Sequence, residues 1–314
     1  MTEPTPFGRF LLHRRLAIGG MAEVWLAEDR AAPGRPLALK RLLPTLADDP
    51  AFVAMFQDEA RIGALLTHPG IVKVHEAGQE GASHWLTMDL VAGLDLRTLL
   101  AHHRREGSRL PVGLSAFVAA RAAEALDHAH RATGPDGASL EVVHCDLTPA
   151  NVLLGPDGRV YLIDFGIARA AFRAHREAAA LRGKFGYLAP EQAAGRPADR
   201  RADVFSLGAV LHEALTGRRL FAGPNDLAVL QQVSSAQVRP PSAQNPAVPP
   251  GLDAVVLRAL ARAPEGRFAW ASELALALAP HQAAAGPAAL AAEVAAALRA
   301  EEEQAAAQDQ AGAD

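Results

Sequence analysis

From Phe10 to about Val91 apolar and polar positions mostly alternate, and beyond Gly93 the apolar positions recur at helical spacing. Phe10–Ile18, Glu23–Ala27 and Pro36–Leu42 follow period two and are separated by Gly-rich or Pro/Gly stretches, which predicts three strands joined by turns. Pro50 after Asp48-Asp49 marks a helix start, because Pro fits the first helical position and Asp caps it. Phe52, Phe56, Ala60 and Gly63 fall along one face of that helix, and His68-Pro69-Gly70 ends it. Ile71–His75 and Trp85–Met88 return to strand, giving a five-stranded antiparallel sheet with one helix. Leu114–Ala132 carries Phe117, Ala120, Ala125 and Leu126 at helical spacing, and Arg201–Thr216 repeats the pattern with Gly217 as its stop. Leu252–Arg262 and Ser272–Leu278 are further helices, and residues 236–250 form a Pro-rich loop. The expected class is α+β in two lobes, residues 10–91 and 92–280. Residues 281–314 are Ala/Glu-rich with a Gly286-Pro287 break, and are expected to be disordered or a marginal surface helix near Ala288–Ala307.

With 314 residues and 50% hydrophobic content, the chain can bury one large core or two lobes. Its formal charge of −4 is concentrated in the tail, where Glu293, Glu301, Glu302, Glu303, Asp309 and Asp314 face Arg299 alone. The remainder is nearly neutral, which excludes a broad nucleic-acid or membrane footprint. Cys145 is the only cysteine, so no internal disulfide forms and a reducing compartment is expected. The opening Met-Thr-Glu-Pro-Thr-Pro has no signal-peptide pattern, and no apolar run approaches the ~20 residues of a spanning helix. A soluble, cytoplasmic chain is expected. Only three of its 31 basic residues are lysine: Lys40, Lys73 and Lys184. Where arginine serves almost everywhere, the remaining lysines are enriched for places that need a compact ammonium.

The chemistry is concentrated in His144-Cys145-Asp146-Leu147-Thr148-Pro149-Ala150-Asn151, followed by Asp164-Phe165-Gly166. Each loop ends an apolar run, Leu140–Val143 and Val160–Ile163. Together they offer a carboxylate that can take a proton, Asp146, and two hard oxygen ligands suited to Mg²⁺, Asn151 and Asp164. This pair of loops resembles the catalytic and metal loops of protein kinases. The resemblance implies that Asp146 handles the acceptor hydroxyl's proton, that Asn151 and Asp164 hold Mg²⁺ on the phosphates of ATP, and that His144 packs under the metal loop.

Other segments extend the resemblance over about residues 10–280. Leu16-Ala17-Ile18-Gly19-Gly20-Met21-Ala22-Glu23-Val24 stands where the glycine-rich turn should be, with Ala17 and Ala22 replacing two of three glycines. Read alone it is a Gly-Gly hairpin turn; within the resemblance Ala17, Ile18, Gly19, Gly20, Met21 and Val24 contact nucleotide. Lys40 at the end of an apolar strand resembles the lysine that holds the α- and β-phosphates, and Glu59, nineteen residues on, its helix partner. Gly63 stands where the family has a large apolar side chain, which implies a loosened helix with Met88 filling the space. Met88, Asp89 and Val91 resemble the adenine-binding hinge, and Leu153 is an implied nucleotide contact. Asp95 either reaches the ribose or caps the next helix.

Gly186-Tyr187-Leu188-Ala189-Pro190-Glu191 resembles the end of a protein-kinase activation segment, and Ala202-Asp203-Val204-Phe205-Ser206-Leu207-Gly208 the buried helix that anchors the catalytic loop. Arg267 is expected to pair with Glu191. Small-molecule phosphotransferases share the His-x-Asp pattern but lack this later set. The chain is thereby identified with bacterial eukaryotic-like (Hanks-type) serine/threonine protein kinases, implying ATP, Mg²⁺ and protein substrates, with no nucleic acid or membrane partner. A regulatory partner or transient dimer is also an expectation. A nucleotide-gated pseudokinase scaffold is the alternative; the altered glycine turn, Cys145 and Thr148 favour it, while Lys40, Glu59, Asp146, Asn151 and Asp164 oppose it. The family's Lys two residues after the catalytic Asp is Thr148 here, and its Thr after Gly183 is Lys184. The exchange implies that Lys184 supplies the charge near transferred phosphate and that Thr148 holds Asp146.

Overall fold

The computed structural model describes residues 3–165 and 185–311. The N-terminal lobe is a twisted antiparallel sheet of six strands: β1 (Thr5–Phe7), β2 (Phe10–Ile18), β3 (Ala22–Asp29), β4 (Pro36–Leu42), β5 (Val74–Glu80) and β6 (Ser83–Asp89). Their order is β1-β2-β3-β4-β6-β5. The two-residue alternation sends side chains to both faces. On one face Ala22, Ala38, Leu42, Leu86 and Met88 meet Phe52, Met55, Phe56 and Ala60 of α1 (Pro50–Leu65). On the other, Phe7, Phe10, Leu12, Ala27 and Leu39 form a second cluster under Trp25, Leu37 and Trp85.

Two expectations are corrected here. The sheet has six strands, not five, because Thr5–Phe7 folds back on Phe10–Leu12 through Gly8 at φ 53° and sets Phe7 over the outer face. Three residues that include a proline carry no alternation to read. The strand expected over Ile71–His75 begins only at Val74. Ile71 instead forms an isolated parallel bridge with Leu162, and the Val72 amide donates to the Leu162 carbonyl, so this run ties the two lobes together.

The seat of α1 is set at both ends. Asp49 caps it by accepting from the Ala51 amide, and Lys73 Nζ donates to the Ala64 carbonyl at 3.0 Å and to Thr67 Oγ1 at 3.2 Å. Gly63 was expected to loosen the helix. A Cβ there would instead lie 2.6 Å from Val74 Cγ2, so the space is filled by Val74, not Met88, and the helix lies directly on β5.

The C-terminal lobe is helical: α2 (Leu96–Arg105), α3 (Val112–His130), α4 (Pro190–Ala193), α5 (Arg201–Thr216), α6 (Asp226–Ser235), α7 (Pro250–Ala259), α8 (Ala271–Leu278) and α9 (Pro287–Ala311). Every residue of α5 from Ala202 to Thr216 is buried, and Gly217 ends it at φ 72°, where a side chain would be strained. A small sheet of β7 (Leu94–Asp95), β8 (Val152–Leu154) and β9 (Val160–Leu162) carries the loops of interest. The tail is helical over nearly the expected span but is not merely a surface helix. Leu290, Val294 and Ala297, spaced four and three apart on α9, are fully buried in the C-lobe core. Among the described residues no helix is long and apolar enough to cross a membrane.

Because Val74 already fills the space above Gly63, Gly63→Leu should overpack the helix–sheet contact. A loss of about 1–3 kcal/mol is expected, the usual cost of forcing extra methylenes into a filled core. Gly63→Ala should also destabilise, since the stiff Val74 must move; urea denaturation of the two variants measures this. Unchanged stability in Gly63→Leu would show that the seat of α1 yields freely.

Candidate active site

The catalytic loop is built around a carboxylate. Asp203, in the first turn of α5, is fully buried and accepts three hydrogen bonds, from the His144 amide (2.8 Å), the Cys145 amide (2.9 Å) and His130 Nε2 (2.8 Å). It thereby holds a backbone in which Cys145 sits at φ 63°, a left-handed setting that costs a non-glycine residue roughly 1–2 kcal/mol. The turn delivers His144 beneath the metal loop. Its Nε2 lies 3.0 Å from the Ile163 carbonyl, and its ring packs on Phe165 with centroids 4.7 Å apart.

Asp146 follows at the mouth of the loop. Asn151 Nδ2 donates to the Asp146 carbonyl at 2.7 Å and approaches its Oδ2 at 3.5 Å. Asn151 is thus fixed with its amide nitrogen toward Asp146, which turns its oxygen to the other side. Asp164, at φ 65°, is the second left-handed non-glycine residue of the site. Local strain at such positions persists where surrounding contacts over-determine the backbone.

Lys40 joins the lobes. From β4 its Nζ donates to Glu59 Oε1 of α1 at 2.6 Å and to Asp164 Oδ1 at 2.7 Å, and both Lys40 and Glu59 are buried. Burial by itself would lower the ammonium's pKa, but the carboxylates of Asp164 and Glu59 together raise it, so Lys40 stays charged. Burial pushes the Glu59 carboxyl up to about 8, against the pull of Lys40. Glu59 Oε2 is buried without a hydrogen-bond partner among the described residues.

The cleft between the lobes is apolar on its walls. Met21, Val24 and Val91 above and Leu153 below pack half-buried against the N-lobe cluster that contains Ala38 and Met88. Gly93 passes so close to β8 that a Cβ would lie 1.9 Å from the Leu154 carbonyl. Ala17, Ile18, Gly19 and Gly20 are exposed at the tip of the β2–β3 hairpin, closed by the Gly19 amide donating to the Ala22 carbonyl at 2.8 Å. Asp89 is exposed and pairs with His75 (2.8 Å) and Arg35 (3.6 Å). Asp95 caps α2, accepting from the Thr98 amide at 2.7 Å. Thr148 is buried; among the described residues no hydrogen bond joins its hydroxyl to Asp146. Lys184 lies outside the described residues.

The donor set fits Mg²⁺, which takes one or two protein oxygens and completes its shell with phosphates and water. Asn151 is oriented by Asp146, and Asp164 supplies a carboxylate beside the Lys40 ammonium.

Three features were not anticipated. Gln192 Oε1 accepts from the Ala189 amide while its Nε2 donates to the Cys145 carbonyl at 3.2 Å, coupling the segment after Tyr187 to the catalytic loop. Tyr187 is buried and donates to Glu213 Oε2 at 2.5 Å, and Arg104 of α2 pairs with Glu213 Oε1 at 3.1 Å. Burial and the neighbouring Glu213 push the Tyr187 phenol up. His130 is the third donor to Asp203. Apart from the local Ala189–Gln192 bond, these partners lie tens of residues apart in sequence, so spacing carried no signal. Glu191 and Arg267, which the sequence did pair, form a buried bidentate contact at 2.6 and 2.7 Å.

Comparison with known proteins agrees with this geometry. The model of the protein kinase domain matches residues 10–276. The chain is 42% identical over 276 residues to a tyrosine-protein kinase, MasK, of Myxococcus xanthus, covering 87% of this chain and 43% of that protein. It is 38% identical over 282 residues to the serine/threonine-protein kinase PknB of Mycobacterium tuberculosis, covering 87% and 43%. It therefore spans about two-fifths of the length of these relatives. The crystal structure of the PknI kinase domain of M. tuberculosis superposes with a TM-score of 0.68 at 33% identity, covering 90% of this chain and 99% of that one. Fold, site and similarity coincide, and the chain belongs to the protein kinase domain family.

Proposed function

We propose that this chain transfers the γ-phosphoryl group of ATP, with Mg²⁺, to serine or threonine hydroxyls of protein substrates in a signalling role. The observation that carries this reading is the assembled pair Lys40–Glu59 joined to Asp164, with Asn151 bonded to Asp146 in the neighbouring loop. A scaffold that only bound nucleotide would have no use for this whole arrangement. The serine/threonine preference is supported by Pro149 after Leu147-Thr148 and by the likeness to PknB. MasK, a relative of higher identity, carries a tyrosine-kinase name, which makes tyrosine the competing acceptor.

In this reading Lys40, charged and held by two carboxylates, binds the α- and β-phosphates. Glu59 keeps Lys40 in place through α1. Mg²⁺, held by Asn151 and Asp164, would neutralise charge developing on the phosphates. Asp146 orients the acceptor hydroxyl and takes its proton. The adenine lies between Val24 and Ala38 above and Leu153 below, with hinge backbone at Met88, Asp89 and Val91. Ala17, Ile18, Gly19, Gly20 and Met21 cover the phosphates, and Asp95 reaches the ribose. Substrates are proteins, and regulation by a partner or a transient dimer remains part of the proposal.

Purified protein incubated with labelled ATP, Mg²⁺ and a generic protein substrate, with the modified residues mapped by mass spectrometry, tests the reading and names the acceptor. Asp146→Asn should lower turnover about 10²–10⁴-fold, the usual worth of a positioned base, while nucleotide binding stays intact. Wild-type transfer no greater than that of Asp146→Asn would replace this reading with a nucleotide-binding scaffold.

Activity should not require phosphorylation of the activation segment. Between Asp164 and Glu191 there is no serine or threonine, and the one hydroxyl amino acid, Tyr187, is buried against Glu213. The position before Asp146 is Cys145, which cannot make the charge-assisted bond an arginine would offer to phosphate. Phosphatase treatment should leave turnover unchanged; its loss, with a phosphate mapped inside the segment, would contradict this.

The exchange of Thr148 and Lys184 gives a third expectation. If Lys184 supplies transition-state charge, Lys184→Ala should lower kcat by ~10²-fold, the scale of losing one preorganised donor. Thr148→Lys combined with Lys184→Thr should recover activity relative to either single change. Steady-state kinetics decide it, and full activity in Lys184→Ala would make the exchange incidental.

A further inference from the structure

The helix α9 begins beyond residue 276, where the match to the kinase domain ends, yet its first half is seated in the core of the lobe. Leu290, Val294 and Ala297 are fully buried, with Ala289 and Leu298 half-buried beside them. The chain leading into it is equally close. A Cβ on Gly158, in the β8–β9 turn at φ 75°, would lie 1.8 Å from the Pro287 carbonyl, and one on Gly113 would lie 2.7 Å from the Ala283 carbonyl.

What α9 covers is α2. Glu293 Oε2 lies 3.4 Å from Nε2 of the buried His103, and Arg105 reaches both Glu301 and Gln304. The helix α2 has ten residues, a length that is marginal in isolation, so its order must come from packing. Its buried stripe is Leu96, Leu99, Leu100 and His103. It packs on the turn Pro149–Asn151 and on β8, and α9 meets its last turn at His103 and Arg105.

The first residue of α2 is preceded by its cap, Asp95. Both carboxylate oxygens are oriented by α2 itself, one accepting from the Thr98 amide at 2.7 Å and the other from Arg97 at 3.0 Å. Asp95 pairs in β7 with Leu153 of β8, on the lower wall of the cleft. The direction of its carboxylate is therefore set by the order of the first turn of α2.

We propose that α9 is a positioning element of the nucleotide site: seated in the C-lobe core by Leu290 and Val294, it holds α2 through the contacts of Glu293, Glu301 and Gln304 to His103 and Arg105, and α2 holds the Asp95 carboxylate toward the ribose hydroxyls of ATP. This rests on the kinase reading for the identity of the nucleotide. It places Leu290 and Val294, remote from the reacting atoms, among the determinants of ATP affinity and not of turnover.

The test compares the full chain with Leu290→Ala and Val294→Ala, singly and together, and with Asp95→Ala. Amide exchange across α2, the dissociation constant for ATP with Mg²⁺, and KM and kcat are measured well below the melting temperature. The tail variants should speed exchange in α2 while leaving α3 and α5 protected. They should weaken ATP binding and raise KM for ATP about tenfold, the lower bound for one charge-assisted hydrogen bond, with kcat nearly unchanged. Asp95→Ala should weaken ATP to a similar degree, and adding Val294→Ala to it should cost nothing more. Unchanged ATP affinity in a tail variant, a fall in kcat alone, or tail and Asp95 effects that multiply would each overturn the proposal, as would wild-type affinity in Asp95→Ala. Equilibrium binding separates the two readings: a predicted loss of affinity in a chain that transfers no phosphate upholds the role of α9 and removes the kinase reading.

Discussion

The Asp203 carboxylate is the point from which the rest of the site is hung. It has no exposure to water, and its three hydrogen bonds come from two backbone amides of the catalytic loop and from His130 of α3. Without it the His144 and Cys145 amides would be buried with no acceptor, each at a penalty of about 1–3 kcal/mol, in a loop already strained at Cys145. The carboxylate in turn depends on α5 being immovable, which Arg267 secures. All five guanidinium donors of Arg267 are used: two on Glu191 and the others on the carbonyls of Ala261, Arg201 and Arg262. A lysine has three donors and no fork, so it could not join these segments. A buried ion pair of this kind adds little net stability over an apolar pair but makes one arrangement far better than its neighbours.

Lys40 is the second fixed point, and it works between lobes. Its contacts with Glu59 and Asp164 bring α1, β4 and the metal loop to one ammonium. That closure lasts only as long as α1 keeps its place, and the sequence supplies separate means for this. Lys73 satisfies the Ala64 carbonyl in the last turn of α1, and Gly63 lets the helix lie on Val74. The scarcity of lysine now has a physical sense. Both lysines among the described residues make short contacts a compact ammonium can reach, and both bear on the position of α1.

Much of this was legible in the letters, for reasons that differ by element. Strands β2, β3 and β4 and helix α5 are long and periodic, and their ends carry Gly or Pro at the turns. The loops from His144 to Asp164 were legible because their polar residues stand in spacings that packing alone does not require. The outer strand Thr5–Phe7 was not, since it exists only through pairing with Phe10–Leu12. Tyr187, Glu213 and Arg104 were missed for the same reason: their relation is tertiary, across three separate segments. The tail misled differently. Three core side chains in an Ala/Glu-rich run are too few to build a core, and that judgement was sound; they suffice to complete a core that already exists.

The two walls of the cleft are unequal in a way that follows from these residues. Above, alanines at 17 and 22 stand where the family has glycines, and buried Ala22 packs into the N-lobe cluster, so the hairpin has fewer backbone conformations open to it. Below, Asp95 and Leu153 sit on paired strands, Gly93 runs against the Leu154 carbonyl, and α2 is clamped between the catalytic turn and α9. The upper wall has thus lost adaptability in its turn, while the lower wall is ordered through packing. In the proposed reading, nucleotide recognition would therefore be weighted toward the C-lobe side, where rigidity comes from residues well outside the motif-bearing loops.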